Sequence, residues 1–594
     1  MAKKKKRRTQ QSDQPVLASV PEEKSPTWLV TTLWYAAGII GFWSCGFTIM
    51  RGSDLYWHLA TGRWIFENRA IPFNDPWSFT AEGARWVVDA WLADFLFFVW
   101  SKLFTTYGIV WWKWLLIIGF FTIMMRLLQR MWGSWPAAWT AALAAAITAA
   151  PFLDIRPQLW SMFCFSLLLE LTLAREKPSP WIVPLFLVWT NLHAGFTLGI
   201  LTLPALLFPY FLKADQRKRT IILGAAAVLI CLINPNTYHS FAQPIIYALD
   251  GDSPFQTIGE WLPPFRPGGI QSAWYPWMIG VFIVASMFRI ASRERPIPWI
   301  LLGLGYLTLA MSLQSRRFVP FFAITMTLVV APLIRDLLNP LLRRLPPLVP
   351  AIASLAIAVT LIWPYPIKSY AFHFLMAEYT FPVETLNFVE KNQLSGKVFG
   401  YFNWGGYIHL RTDGDFKVFI DGRASALFSE QTYLDYVKVL GRSPGWMGVI
   451  DYSGADYFFW PRNQVAQAQE LLQSGNWKVV TADSVSVLLA RADLILPPFQ
   501  ETDESAYKSL TRGVLAMEQG NLAAAETELR KTLEQMPWEG RACDWLARSV
   551  GLQDRLEEAN QILDECDAVF PMDTRRQMFE QAITSAAANR SRRP

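Results

Sequence analysis

The sequence predicts a polytopic α-helical membrane protein with about 11 transmembrane helices, followed by an extracytoplasmic α/β domain and a short all-α repeat array. Three observations predict this. Apolar runs long enough to span a bilayer recur through residues 28–364; beyond 364 the runs shorten and alternate; beyond 505 a pattern of small residues repeats. Of the 594 residues, 52% are hydrophobic and 17% charged, whereas a soluble chain carries about a quarter charged residues.

Residues 1–27 carry the run KKKKRR, which supplies much of the net charge of +6. Ahead of an apolar helix, such a run reads as a cytoplasmic topology anchor and not as a nucleic-acid contact. The run 28–50 is too long for a signal-peptide core, and no small-residue cleavage site follows it, so it reads as an uncleaved first span. The further spans fall at 109–126, 136–153, 159–174, 181–192, 196–212, 219–234, 273–291, 298–314, 318–334 and 347–364. Basic residues collect at alternate connections: Arg126 and Arg130, Arg175 and Lys177, Arg217 to Arg219, Arg293 and Arg295, Arg343 and Arg344. This asymmetry puts the N-terminus in the cytoplasm and the C-terminal parts outside an inner membrane. Residues 91–104 contain Asp94 and Lys102 and suit an interfacial helix better than a span.

That topology gathers polar residues on the outer side. Loop one, 51–108, holds Asp54, His58 and Asp75; the next outer loops hold Asp154 with Arg156, then Asn191 with His193, then His239 and Glu260. Arg316 and Arg317 follow, breaking the positive-inside rule and so needing an anionic partner. A lipid phosphate or pyrophosphate is one such partner; a loop carboxylate or an outer headgroup is another. Converging carboxylates can supply a general base or hold a divalent cation, Mg or Mn, with Asp54, Asp154 and Glu260 as ligands. Asp75 lies in the turn-like NDP, where capping is an equal alternative to substrate contact. His58 shares a helical face with Asp54; for His58, His193 and His239, interfacial hydrogen bonding competes with a substrate role.

SDLYWHLATGRWIFENRAIP resembles the acid–aromatic–helix opening of the GT-C superfamily of membrane glycosyltransferases, with Asp54 at the acid position. The resemblance implies a GT-C-like membrane domain over 28–364, a polyprenyl-phosphate or polyprenyl-pyrophosphate sugar as donor, and Asp54 as an essential group. Asp154 matches the second outer-loop acid, although DIR replaces the acidic pair of some members. TIGE, Thr257 to Glu260, resembles a motif of the oligosaccharyltransferase branch whose glutamate helps hold metal and acceptor. YFNWG resembles the start of that branch's tryptophan-tryptophan-aspartate-tyrosine-glycine motif, but Asn403 stands at the aspartate and both tryptophans are replaced. Asp54 and Glu260 are therefore the expected catalytic pair, and Arg316 and Arg317 the expected phosphate ligands.

In 365–495, KVFGYF, YIHLR, KVFIDGR, ADYFFWP, WKVVTAD and VSVLLAR read as strands, with helices between them. FIDGR places Asp421 and Arg423 around Gly422; either the acid meets substrate or an Asp–Arg pair holds the turn. In 505–591, Ala525, Leu529 and Pro537 recur 34 residues later as Ala559, Leu563 and Pro571, the tetratricopeptide interval. Two repeats and a capping helix would offer a protein or peptide partner a concave face. Cys543 and Cys566 pair there or remain free core thiols. Besides a glycosyltransferase, the chain could be a non-catalytic membrane scaffold recruiting partners through these repeats.

Overall fold

The computed structural model describes residues 27–50, 52–249, 253–268, 270–292, 298–365, 370–376 and 380–569. The basic N-terminal run and the expected capping helix lie outside these residues.

Each of the eleven apolar runs carries a helix. α1 (Trp28–Ser44) precedes two helices contributed by loop one, α2 (Asp54–Asn68) and α3 (Trp91–Phe104). Then come α4 (Ile109–Trp132), α5 (Trp135–Ala149), α6 (Gln158–Thr172), α7 (Ile182–Leu192), α8 (Phe196–Phe211), α9 (Arg217–Ile230) and α10 (His239–Leu249). α11 (Tyr275–Ala291), α12 (Trp299–Gln314), α13 (Val319–Leu342), α14 (Leu348–Ile362) and α15 (Tyr370–Leu375) complete this region. Among the described residues, two helices are long and apolar enough to cross a membrane, Ile109–Trp132 and Arg316–Leu342; six other apolar helices are shorter. α4 and α13 supply much of the buried apolar core, including Ile117, Phe120, Phe121, Phe322 and Leu328, all under 1% exposed.

The C-terminal α/β domain is built on a five-stranded sheet: β1 (Gly396–Gly400), β2 (Phe416–Val418), β3 (Tyr457–Pro461), β4 (Trp477–Ala482) and β5 (Ser486–Arg491). The strand order is β2-β1-β3-β5-β4, with β1 parallel to β2 and β3, and β5 antiparallel to β3 and β4. Helices α16 (Val383–Lys391), α17 (Gly405–Thr412), α18 (Glu430–Leu440), α19 (Trp446–Ser453) and α20 (Val465–Gln473) surround it. YIHLR is not a strand: it lies inside α17. The alternation of Tyr407, Ile408 and His409 misleads because all three side chains are buried, wedged between α2 and the sheet.

Loop one is stitched to this sheet. Phe79 N donates to Val418 O at 3.2 Å, and Val418 N donates to Trp77 O at 3.1 Å, so Ser78 forms a single parallel bridge to the edge strand β2. Such pairing satisfies backbone groups that an open edge would leave exposed. On its other side α2 buries Leu55, Tyr56 and Leu59, each Leu contributing about 1.5–3 kcal/mol. Asp54 is thereby fixed where the α/β domain meets the helical region.

The tail folds as four helices, α21 (Ala506–Glu518), α22 (Leu522–Gln535), α23 (Gly540–Leu552) and α24 (Leu556–Val569). Ala525, Leu529, Ala547, Ala559 and Leu563 are buried between them. Cys543 and Cys566 form a disulfide between α23 and α24, with Cα atoms 6.5 Å apart.

Candidate active site

Asp54 opens α2, where a carboxylate is favoured by the unpaired N–H groups and dipole of the first turn. Its side chain is 20% exposed. Arg156 Nη1 lies 3.2 Å from Asp54 Oδ2, and the same nitrogen pairs with Glu260 Oε2. Glu260 Oε1 lies 3.5 Å from Arg317 Nη1, and the Arg317 guanidinium stacks 4.6 Å above the Trp261 ring. Four side chains thus form a line of alternating charge: Asp54, Arg156, Glu260, Arg317. Glu260 is opposed by burial, yet Arg156 and Arg317 hold it down to about 2, so it is ionised at any physiological pH. Asp54 is pushed up, first by burial, which outweighs the pull of Arg156, and further by the charge of Glu260.

The turn of FIDGR closes over Asp54. A Cβ on Gly422 would stand 2.8 Å from Asp54 Oδ1 and 3.2 Å from Trp57 Nε1, so only glycine lets this turn approach so closely. Behind it lies a second, sealed cluster. Arg423 donates to Asp75 Oδ1 at 2.6 Å and to Asp421 Oδ2 at 2.6 Å, with both acids and the arginine wholly buried. Asp75 also accepts from the backbone N–H of Trp77 and Ser78, at 3.2 and 3.0 Å. His409 Nε2 sits 2.9 Å from Asp421 Oδ2.

The expected site residues therefore separate. Asp54, Glu260 and Arg317 come together. Asp154 stands beside them, but Oδ2 accepts from Gly52 N and Oδ1 from Ile155 N, both at 2.8 Å, so its oxygens shape the chain entering α2. Arg316 lies apart from this row: it is 1% exposed and donates to the carbonyls of Gly259, Arg266 and Gly268. Its two terminal nitrogens are spent on protein carbonyls, and its Nε is buried with no acceptor among the described residues. Asp75 and Asp421 take the structural one of the two roles open to each, since Arg423 neutralises both inside a closed interface. His58 is buried, with Nδ1 2.6 Å from Asp94 Oδ1; burial pushes the imidazole down to about 3, and it is neutral. His193 Nδ1 is 2.8 Å from Ser161 Oγ and also accepts from Gly195 N, which ties down its own turn. His239 begins α10 against Tyr238, and Asn403 is exposed in a short turn before α17.

Residues expected to bind Mg or Mn do not form such a donor set as arranged. Among the described residues, no three His, Cys, Asp or Glu side chains come together as ligands. Instead the Arg156 guanidinium bridges two of the three acids.

No protein-family model matches the chain, and no curated protein does. Solved structures with a similar arrangement exist. The oligosaccharyltransferase AglB from Archaeoglobus fulgidus, in complex with an inhibitory peptide and a dolichol-phosphate, aligns over 88% of this chain and 86% of its own at 11% identity, with a TM-score of 0.48. The A. fulgidus oligosaccharyltransferase in apo form aligns over 80% and 76% at 12% identity, TM-score 0.47. ArnT from Cupriavidus metallidurans, bound to undecaprenyl phosphate, aligns over 80% of this chain and 100% of its own at 14% identity, TM-score 0.43.

Arg156 is the site residue that the sequence reading passed over as a candidate. The signal was present: like Arg316 and Arg317, it is a basic residue on the side predicted to be outer, and it stands two positions after an acid. Trp261, which carries Arg317, follows Glu260 directly and had no comparable signal.

Proposed function

We propose that the chain is a multi-pass membrane glycosyltransferase that moves a sugar from a polyprenyl-phosphate or polyprenyl-pyrophosphate donor to an acceptor at the outer face of a bacterial inner membrane. The observation that carries this reading is the row Asp54, Arg156, Glu260, Arg317: one carboxylate of raised basicity beside two guanidinium groups. In the reaction, an acceptor heteroatom attacks the anomeric carbon from the face opposite the leaving phosphate. A bond forms between acceptor and sugar, and the carbon–oxygen bond to phosphate breaks. The acceptor proton passes to Asp54, and the bonding electrons leave on the phosphate oxygen, whose charge Arg156 and Arg317 neutralise. Nothing is oxidised or reduced.

Support for the membrane setting comes from exposed apolar side chains such as Ile221, Ile222 and Leu229 on α9 and Val284 and Met287 on α11, which suit lipid and not water. In this reading all eleven apolar helices sit in the bilayer, the shorter ones in a locally thinned region or inside the bundle. The α/β domain and tail lie outside it, where the Cys543–Cys566 disulfide would persist. The tail helices start 34 residues apart, 540 against 506 and 556 against 522, and fit tetratricopeptide repeats offering a face to a protein or peptide partner.

The purified protein should release polyprenyl phosphate or pyrophosphate from a lipid-linked sugar. Arg317→Ala should raise the donor KM at least tenfold, about what one charge-assisted contact to a phosphate is worth. Arg316→Ala should instead lower the yield of folded protein, because three buried carbonyls lose their donor. An unchanged donor KM in Arg317→Ala, or no release from any polyprenyl-linked sugar, would count against the proposal.

A further inference from the structure

We infer that Arg156 is the resident cation of this site, occupying the place between the acids that a divalent metal would need, so that transfer runs without a metal ion. The inference rests on the glycosyltransferase reading and specifies how that site handles charge.

A hard divalent cation needs several oxygens turned towards one point. Here one nitrogen of Arg156 already lies between Asp54 Oδ2 and Glu260 Oε2. The third acid, Asp154, directs one oxygen at Gly52 N and the other at Ile155 N. A metal entering between Asp54 and Glu260 would meet a fixed positive charge, to which both carboxylates are already committed.

The site is also shaped around the guanidinium. At Gly52 a Cβ would overlap Arg156 Nη2 and come within 2.8 Å of Cζ and Nε. The chain entering α2 thus leaves room for this side chain and would lose it if residue 52 carried a side chain of its own. Asp154, by accepting from Gly52 N, holds that close passage in place. Arg156 Nε is buried and has no hydrogen-bond acceptor among the described residues. That N–H is sealed off, and what Arg156 offers an incoming phosphate is its positive charge, on a side chain 17% exposed. Arg156 then does in this site what Mg2+ or Mn2+ would do: it offsets the charge that develops on the leaving phosphate.

The test is Mn2+ binding, read by electron paramagnetic resonance on the purified full-length protein, together with polyprenyl phosphate release. The wild type should show no bound Mn2+ that is sensitive to Asp54→Asn, and its release rate should change less than twofold in excess EDTA. Arg156→Ala, if it elutes as folded protein, should bind Mn2+ at least tenfold more tightly than wild type, because Asp54 Oδ2 and Glu260 Oε2 then lose the cation between them, while Arg317 keeps only Glu260 Oε1. Mn2+ bound by the wild type and lost in Asp54→Asn would overturn the inference. So would release that EDTA stops and Mg2+ restores, or a folded Arg156→Ala that gains no Mn2+. Mn2+ binding indifferent to Asp54→Asn lies elsewhere on the surface and leaves the inference standing. Should no lipid-linked sugar be turned over at all, the glycosyltransferase reading fails, while the Mn2+ measurements still decide whether Arg156 excludes the metal.

Discussion

Arg423→Met should lower the stability of the folded chain by about 3–5 kcal/mol, the usual cost of removing one partner from a buried ion pair. The size follows from what would be left behind. Arg423 is the shared partner of Asp75, from loop one, and Asp421, from the turn after β2; all three side chains are fully buried. Methionine fills the volume but leaves two carboxylates in a dry interface. Lysine should not rescue the variant, since Nε and Nη2 bind Asp421 together while Nη1 reaches Asp75, a fork one ammonium cannot reproduce. The guanidinium lies 5.2 Å from the Trp77 ring and 4.8 Å from the Trp86 ring, so a tryptophan-fluorescence melt reports on the altered place itself. The wild-type cluster should also weaken in acid. Burial alone would raise Asp421, but Arg423 and the His409 hydrogen bond hold it well below the ordinary carboxylate range. Its contribution is therefore complete above the unfolded-state value of about 3.9 and disappears as pH falls through the lower folded value. An unchanged melting temperature in Arg423→Met would refute this account.

The same cluster explains why the sequence leaves Asp75 and Asp421 between two roles. Asp75 and Asp421 are 346 positions apart, and no local pattern announces that one arginine will neutralise both. Their acid-rich turns look alike whether they face substrate or each other. Arg316 and Arg317 pose the same difficulty on a smaller scale. Adjacent residues in a tight helical turn point about 120° apart, and only packing decides that Arg316 faces three carbonyls while Arg317 faces Glu260. The apolar runs were legible because burial in a helical bundle requires continuous hydrophobicity. YIHLR was not, because a short helix buried on several sides has no polar face to betray its period. Glu260 was reached through a four-residue motif, and its geometry agrees with a place beside Asp54 only because Arg156 bridges the two.

Loop one and the α/β domain consequently work as one body. The edge pairing at residues 77–79, the Arg423 cluster and the close approach of Gly422 all lie within the contact between them. Each fixes where α2 begins, and hence where Asp54 stands. In the proposed reading, a disturbance in the α/β domain should therefore be felt as lost positioning of Asp54, even though no residue of that domain donates the reactive group.

Asp54→Asn should reduce transfer by about 10²–10⁴-fold while leaving the melting temperature close to wild type. Asparagine keeps the shape of the side chain beneath the Gly422 turn, so the close approach survives. Arg156 keeps its pairing with Glu260, so no buried charge is stranded. What is lost is the proton acceptor. The pH profile separates this role from a merely structural one. Because burial raises the Asp54 carboxyl, its basic form is lost as pH falls through a value above the ordinary carboxylate range. Wild-type kcat/KM should rise along an acid limb set by that group. Glu260, held near 2 by two arginines, cannot supply such a limb. The residual activity of Asp54→Asn should lack the limb altogether. Full activity in the variant, or an acid limb that survives the substitution, would remove Asp54 from the chemistry and leave the row of charges as a structural brace.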